Sequence, residues 1–209
     1  TAVKPGCSVL DIGTGTGLLA MVASRAGAKR VIGCESVGFL AEAASEIVQQ
    51  NNLEDDISIL HKWSKDLTMG KDIMAPVDIL VAEIVDTGLL GENIIAAISD
   101  ARQRFCKPDA TTIPYGATVY AAPIESREIS LERRVSMANG FNISLLNSLR
   151  PNMYIQTDLS KYDWRMLTEP VQIFDLDFTR DQPLFEQESS WITPHSDGTA
   201  HCIAFWFDL

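Results

Sequence analysis

The chain has 209 residues, of which 46% are hydrophobic and 22% charged, a composition typical of a globular protein with one large or two small domains. No apolar run approaches the ~18 residues of a membrane span, so we expect no association with a membrane. The formal net charge of −11 disfavours direct binding of nucleic acid and suits a cationic substrate, with a purely solubilising role of the charge as the alternative.

The cysteines and histidines are too scattered to suggest a metal site. The four cysteines form no Cys-x-x-Cys pair, and the three histidines form no metal-binding motif. This cysteine usage indicates a reducing compartment, so we expect a cytoplasmic or nuclear protein. No signal peptide is visible, and the first predicted strand begins within a few residues of Thr1. We therefore expect the chain to be part of a longer protein.

A glycine-rich segment, Val9 to Gly17, connects the first predicted strand to the first predicted helix. Asp11 follows an apolar run that begins near Cys7, and three glycines then alternate with threonines. Glycine permits positive φ and the close approach of a ligand. In an open α/β sheet, such a turn binds a nucleotide-like ligand at the carboxyl edge of the strands.

The spacing of the glycines narrows the choice of ligand. A dinucleotide fingerprint would need glycine where Leu18 stands, and a P-loop would need a lysine that the segment lacks. The remaining pattern, D-x-G-x-G-x-G, resembles the cofactor loop of class I methyltransferases, which use S-adenosylmethionine. A turn without a ligand and atypical NAD binding are the alternatives. The resemblance implies cofactor contacts from Asp11, Gly13, Thr14 and Gly15.

The next two predicted strands add residues to the same edge. The strand over residues 29–35 ends in Glu35, 24 residues after Asp11, where an acid holds the ribose hydroxyls in nucleotide-binding βαβ units. We assign Glu35 and the adjacent Ser36 to the cofactor, with a solvated strand end as the alternative. After a helix over 38–51 and a strand over 57–60, Trp63 and Ser64 lie where an adenine would bind. Trp63 could equally pack beneath a loop.

The fourth predicted strand, residues 77–83, is almost wholly apolar and ends in Glu83. A loop follows it and closes at Glu92, before a helix predicted over residues 93–105. Gly88 and Gly91 allow this loop to fold tightly and bring its two ends together. Asp86 lies inside the loop, either as a third carboxylate at the acceptor site or as a cap of the loop.

Two glutamates nine residues apart after the fourth strand resemble the double-glutamate loop of protein arginine methyltransferases. The glycine loop, the ribose acid and the segment TTIPYGATVYAAPIES (residues 111–126) resemble that family too, and EIVDTGLLGE is most similar to its divergent branches with duplicated modules. The resemblance implies a Rossmann-like domain over residues 1–113 and a β-barrel domain over 114–209. The family's Trp-Met-Gly-Tyr is replaced here by residues 84–87, Ile-Val-Asp-Thr, which leaves the product pattern open.

Strands are predicted over residues 117–124, 171–178 and 199–209 in the second half. The excursion over residues 136–164 lies where the family inserts a dimerisation arm, which implies a homodimer or pairing with a second methyltransferase module. A self-contained cap is the alternative. The family's N-terminal helices and its Thr-His-Trp-type motif have no counterpart in the chain, since His195 and Trp191 do not match that motif by position.

The resemblance implies an enzyme that transfers methyl from S-adenosylmethionine to an arginine of a basic protein. Glu83 and Glu92 would grip the guanidinium through paired charge-assisted hydrogen bonds, and Asp86 would add a third contact to the substrate. We expect monomethylarginine as the main product, with symmetric dimethylation as the competing outcome. Another class I methyltransferase and a pseudo-catalytic module that scaffolds a partner remain alternatives.

Overall fold

The computed structural model describes residues 2–149, 154–181, 183, 187, 189 and 191–209. These residues form two compact units. Of the described residues, the first unit holds 2–117, 176–181 and 183 with Leu209, and the second holds 118–149, 154–175, 187, 189 and 191–208. The domain boundary predicted from the sequence, at Ile113–Pro114, lies a few residues before the first of these divisions.

Strands and helices alternate in the first unit, as the sequence predicts. The elements are β1 (Ser8–Ile12), α1 (Leu18–Arg25), β2 (Arg30–Glu35), α2 (Gly38–Gln50), β3 (Ile57–His61), β4 (Val77–Ala82), α3 (Ile94–Phe105) and β5 (Cys106–Ile113). The five strands form a parallel sheet of order β3-β2-β1-β4-β5. The order reverses between β1 and β4, which is where open α/β sheets bind ligands. The predicted Rossmann-like α/β domain is therefore confirmed.

The central strands of this sheet form the core of the unit. Leu10, Val31 and Leu80 have no exposed surface, and each such side chain contributes roughly 1.5–3 kcal/mol when it is removed from water. Helix α1 packs on the sheet through small residues, because Ala20 and Ala23 are buried in one cluster with the strand residues. A rigid sheet core thus supports the loops at the strand ends.

Strand β5 was not predicted from the sequence. Its segment begins Cys-Lys-Pro-Asp, and a proline with flanking charges argues against a central strand. The structure accommodates Pro108 because β5 is the edge strand and its register with β4 shifts, with Val77 opposite Cys106 but Ile79 opposite Thr111. This bulge explains how a proline-containing segment completes the sheet.

The second unit is built around antiparallel pairing. Its elements are β6 (Gly116–Glu125), α4 (Arg127–Glu132), β7 (Met137–Ala138), β8 (Phe141–Asn142), β9 (Arg165–Met166), β10 (Val171–Asp177) and β11 (Cys202–Asp208). Strands β10, β6 and β11 lie side by side in that order, and β9 pairs with the end of β6. The described part of this unit thus holds a four-stranded sheet, and the β-barrel expected over residues 114–209 stays a prediction.

The described part of the excursion predicted as an arm, residues 136–149 and 154–164, has little regular structure. It contains the short β7–β8 hairpin and two 3₁₀ turns, Ser144–Leu149 and Leu159–Lys161. Residues 150–153 of this excursion lie outside the described residues. Leu145 and Leu149 expose 78% and 73% of their surface. Elsewhere too, none of the helices in the described part of the chain is long and apolar enough to span a membrane.

Candidate functional site

The glycine loop after β1 lies at the carboxyl edge of the parallel sheet, within the first unit. Gly13, Gly15 and Gly17 have φ values of +69°, +55° and +79°, which L side chains rarely adopt. The backbone N–H groups of Gly13 and Thr14 donate to the carbonyl oxygen of Cys34, at 2.9 and 3.1 Å. The loop is therefore tied to β2 and presents backbone without side chains to the space above the sheet edge.

Asp11 lies near the end of β1 and is 1% exposed. Its Oδ2 accepts a hydrogen bond from the Thr14 hydroxyl at 2.6 Å, whereas Oδ1 is buried and no donor among the described residues meets it with good hydrogen-bond geometry, although the backbone N–H of Ala20 is close enough to lower the pKa. Burial raises the pKa of Asp11 to about 6, and the charges of Glu35 and Glu83 act in the same direction. A buried acceptor without a donor is costly, so a ligand that brings a donor would fit here.

Glu35 ends β2 and is 7% exposed. Its Oε2 accepts from the backbone N–H of Gly15 at 3.0 Å and its Oε1 from that of Val37 at 2.8 Å. The carboxylate thus bridges the glycine loop and the start of α2, with half-buried Ser36 between them. Each carboxylate oxygen retains a second lone pair that a ribose hydroxyl can use.

The turn after β3 carries the residues predicted to meet the adenine. Trp63 is 60% exposed, with the Nζ of Lys65 5.9 Å from its ring centroid, and Ser64 begins a 3₁₀ turn. Arg104, on α3, fixes this turn because Nη1 donates to the carbonyl of Lys65 at 3.0 Å and Nη2 donates to that of Leu67. The exposed indole is available to stack on a ligand. Sequence reasoning missed Arg104, since nothing in its helical pattern indicates which carbonyl groups it reaches.

Glu83 and Glu92 lie on either side of the loop that joins β4 to α3, and both are exposed. Glu83 directly follows the buried end of β4, and its charge reaches Asp11. The next residue, Ile84, lies against Gly13, where a Cβ atom would overlap Ile84 Cγ2. Glu83 is therefore held beside the glycine loop. The sequence did not indicate this role of Ile84.

Asp86 is half-buried inside this loop. Its Oδ1 accepts from the backbone N–H groups of Gly88 and Gly91, at 3.1 and 2.9 Å, and its carbonyl oxygen accepts from Leu89 N–H at 2.9 Å. The carboxylate is thus engaged in the loop that contains it. The contact between Asp86 and a substrate stays a prediction.

Two further observations concern a cavity away from the glycine loop and the grouping of possible metal ligands. A cavity of about 370 Å³ opens at the opposite edge of the sheet, where Lys4, Asp78 and Lys107 are among its lining residues. It faces the starts of the strands and is remote from the glycine loop. Among the described residues, no three histidine, cysteine, aspartate or glutamate side chains are grouped so that they could hold a metal ion.

Comparisons with known proteins identify methyltransferases as the proteins to which this chain is similar. The family model of the ribosomal protein L11 methyltransferase (PrmA) matches residues 1–119. An arginine N(omega)-methyltransferase from Streptomyces achromogenes subsp. streptozoticus is 35% identical over 207 residues, which cover 99% of this chain and 57% of that protein. Protein arginine N-methyltransferase 7 from Oryza sativa subsp. indica is 32% identical over 225 residues, 98% of this chain and 31% of that protein.

A solved structure of an arginine methyltransferase is also similar to this chain. The Trypanosoma brucei PRMT1 enzyme-prozyme heterotetrameric complex with AdoHcy contains a chain that matches with a TM-score of 0.75 and 26% identity, over 85% of this chain and 55% of that one. This chain spans 57% or less of the length of these curated relatives. The PrmA model covers the part of the chain that holds the parallel sheet, whereas the arginine methyltransferases match almost the whole chain. The chain belongs to the family of S-adenosylmethionine-dependent methyltransferases that the PrmA model describes.

Proposed function

We propose that this chain is an S-adenosylmethionine-dependent arginine N-methyltransferase module with Glu83 and Glu92 as its guanidinium clamp. The observation that carries the proposal is the position of the loop that these glutamates flank. It leaves the sheet at the edge that also holds Asp11 and Glu35, and Ile84 packs on the glycine loop. One sheet edge thus offers a cofactor cradle and two exposed carboxylates.

The residues of the cradle fit the cofactor. When bound, S-adenosylmethionine would supply a methyl group on a positively charged sulfur. Glu35 is already oriented by two backbone N–H groups and can accept from ribose hydroxyls, while Oδ1 of Asp11 offers a buried acceptor. The glycines at positions 13 and 15 leave the backbone open to close approach. Trp63 offers an exposed aromatic face to an adenine.

The two glutamates suit a guanidinium group. Arginine remains protonated in proteins, and its delocalised charge makes every guanidinium nitrogen a poor nucleophile. Carboxylates that bind two of the nitrogens localise positive charge there and leave the third nitrogen more nucleophilic. One of the carboxylates can also take the proton that the reaction releases. Much of the rate acceleration would come from holding the target nitrogen in line with the methyl group.

A basic protein is the proposed substrate, because the net charge of −11 attracts cationic segments. Free arginine is the second candidate. The Streptomyces relative is named as an arginine methyltransferase without the word protein, whereas the rice relative is named as a protein arginine methyltransferase. We propose monomethylarginine as the main product and symmetric dimethylarginine as its competitor.

The remaining proposals concern assembly. We propose that the four-stranded sheet of the second unit is part of a β-barrel, and that the excursion over residues 136–164 contacts a second methyltransferase module. Its exposed leucines support this proposal, as does the heterotetrameric complex that the trypanosome PRMT1 enzyme forms with its prozyme. The cytoplasmic or nuclear location stays a prediction.

The full-length protein tests the proposed activity. It is incubated with methyl-labelled S-adenosylmethionine and an arginine-rich peptide, the same peptide with lysine at every arginine, or free L-arginine, and the products are identified by mass spectrometry. We expect label on the arginine peptide alone, mainly as monomethylarginine. Label on free arginine alone would identify the small-molecule activity. Cofactor binding without methylation of either substrate would indicate a pseudo-catalytic module instead.

A further inference from the structure

The loop between Glu83 and Glu92 has a defined and partly strained conformation. Leu89 has a φ value of +71°, in the left-handed region that non-glycine residues rarely occupy, and Asn93, directly after Glu92, has a φ value of +63°. Leu89 has no exposed surface, so burial of its side chain opposes the cost of this backbone conformation. The two glutamates at the ends of the loop are exposed, so burial does not hold them in place. Hydrogen bonds must therefore hold the polar part of the loop.

Asp86 supplies these contacts. Its Oδ1 accepts from the N–H groups of Gly88 and Gly91, at 3.1 and 2.9 Å, and its backbone oxygen accepts from Leu89 N–H at 2.9 Å. One residue therefore ties three positions of the loop, the last of which directly precedes Glu92.

Gly91 shows that the carboxylate of Asp86 occupies a specific place in the loop. A Cβ atom on Gly91 would lie 2.6 Å from Cγ of Asp86 and would overlap Oδ2 as well. The φ of Gly91 is not in the left-handed region, so a side chain is excluded here by the volume of the carboxylate and not by the backbone conformation. The loop is shaped around the side chain of Asp86.

We propose that Asp86 is a positioning residue that sets the place of Glu92 relative to Glu83 through its hydrogen bonds to Gly88 and Gly91. The inference rests on the proposed function for its catalytic consequence. It develops the alternative in which Asp86 caps the loop, and it replaces the expectation that the negative charge of Asp86 acts on the substrate. The required property is the acceptor oxygen, and an uncharged amide oxygen at the same place can replace it.

Two substitutions at this position separate the two roles. Asp86→Asn keeps an acceptor oxygen and removes the charge, whereas Asp86→Ala removes both. If Asp86 positions the loop, Asp86→Asn keeps kcat within about threefold of the wild type, and Asp86→Ala lowers kcat on the order of 10-fold to 10²-fold, as expected for two lost hydrogen bonds. The affinity for S-adenosylhomocysteine stays unchanged in both. Asp55→Ala, which removes an exposed acid elsewhere, is the matched control.

Amide hydrogen exchange provides a readout that does not depend on activity. The full-length protein is compared with both variants, and we expect faster exchange at Gly88 and Gly91 in Asp86→Ala but not in Asp86→Asn. Equal losses of kcat in both variants, or unchanged exchange at the two glycines in Asp86→Ala, would overturn the inference. A wild-type protein inactive on every arginine substrate would defeat the proposed function, and the exchange measurement would still decide whether Asp86 orders the loop.

Discussion

Cγ2 of Ile84 lies so close to Gly13 that the glycine has no room for a Cβ atom. Gly13 belongs to the glycine loop proposed to bind the cofactor, and Ile84 directly follows the first glutamate of the proposed clamp. This contact joins the two loops on which the proposed chemistry depends. A change in the conformation of one loop should therefore alter the conformation of the other.

We expect Gly13→Ala to lower the affinity for S-adenosylhomocysteine at least about tenfold, because the new Cβ overlaps Ile84 and strains a residue at φ +69°. Isothermal titration calorimetry measures the affinity. Gly70→Ala is a matched control, since Gly70 has φ +80° but nothing within 4 Å of its Cβ position. Shortening Ile84 to alanine in the Gly13→Ala protein should recover part of the affinity. Equal affinities for Gly13→Ala and wild type would show that the contact is unimportant.

Glu83→Gln and Glu92→Gln should each abolish most methylation without unfolding the protein. Both side chains are exposed in the free protein, so their loss leaves no buried charge unpaired. Removing one partner of a charge pair that becomes buried with substrate costs about 3–5 kcal/mol, a rate loss on the order of 10²–10⁴. Steady-state kinetics on an arginine peptide and thermal unfolding are the measurements, with Glu54→Gln as control. Turnover like that of the wild type in either variant would contradict the clamp.

Asp11 should make stability depend on pH in a defined direction. Its pKa in the folded protein is about 6 against an ordinary value of 3.8, so the folded state binds the proton more tightly than the unfolded state. The contribution of Asp11 to the free energy of unfolding is therefore lost as the pH rises from about 4 to about 6. Asp11→Asn removes the titration and should raise the free energy of unfolding above pH 6 by up to about 3 kcal/mol.

The measurement for Asp11 is urea unfolding of wild type and Asp11→Asn at several pH values from 4 to 8. The difference between the two proteins should grow up to about pH 6 and stay level above pH 7. The same variant should bind S-adenosylhomocysteine more weakly, because the buried carboxylate is part of the cradle. A difference that does not vary with pH would rule out Asp11 as the titrating group.

Arg104→Lys should weaken cofactor binding about three- to tenfold while leaving kcat nearly unchanged. A lysine cannot reach the carbonyl groups of Lys65 and Leu67 together as the guanidinium fork does, so the turn that carries Trp63 becomes less well held. Calorimetric titration and kinetics at saturating cofactor separate the two effects. Arg30→Lys, at the start of β2, is the control. A fall in kcat with unchanged affinity would contradict this role.

Deletion of residues 136–164 should weaken association with a second methyltransferase module. The expected cause is the loss of apolar contacts made by side chains such as Leu145 and Leu149. Analytical ultracentrifugation of the full-length protein and the deletion variant measures the change. Leu145→Ser with Leu149→Ser is a milder variant that leaves the chain intact. An unchanged mass in both variants would reject the prediction.

The sequence predicted the alternation of elements and the residues at the sheet edge because these depend on local patterns. Apolar runs ending in Asp11, Glu35 and Glu83 mark strand ends, and parallel strands bring such ends to one edge. Strand β5 escaped prediction because Pro108 is compatible with a strand only at an edge, and edge position is set by the whole sheet. The hydrogen-bond partners of Asp86 and Arg104 escaped prediction because they depend on how loops close, which no periodicity encodes.

The burial of Leu89 limits how far the length of the loop can vary among related proteins. Its side chain is fully buried while its backbone is left-handed, so the middle of the loop is anchored to the core between the two glutamates. An inserted or deleted residue on either side would displace the anchor or one of the acids. The segment should therefore tolerate changes of residue type at exposed positions such as Thr87 and Leu90 far better than any change in its length.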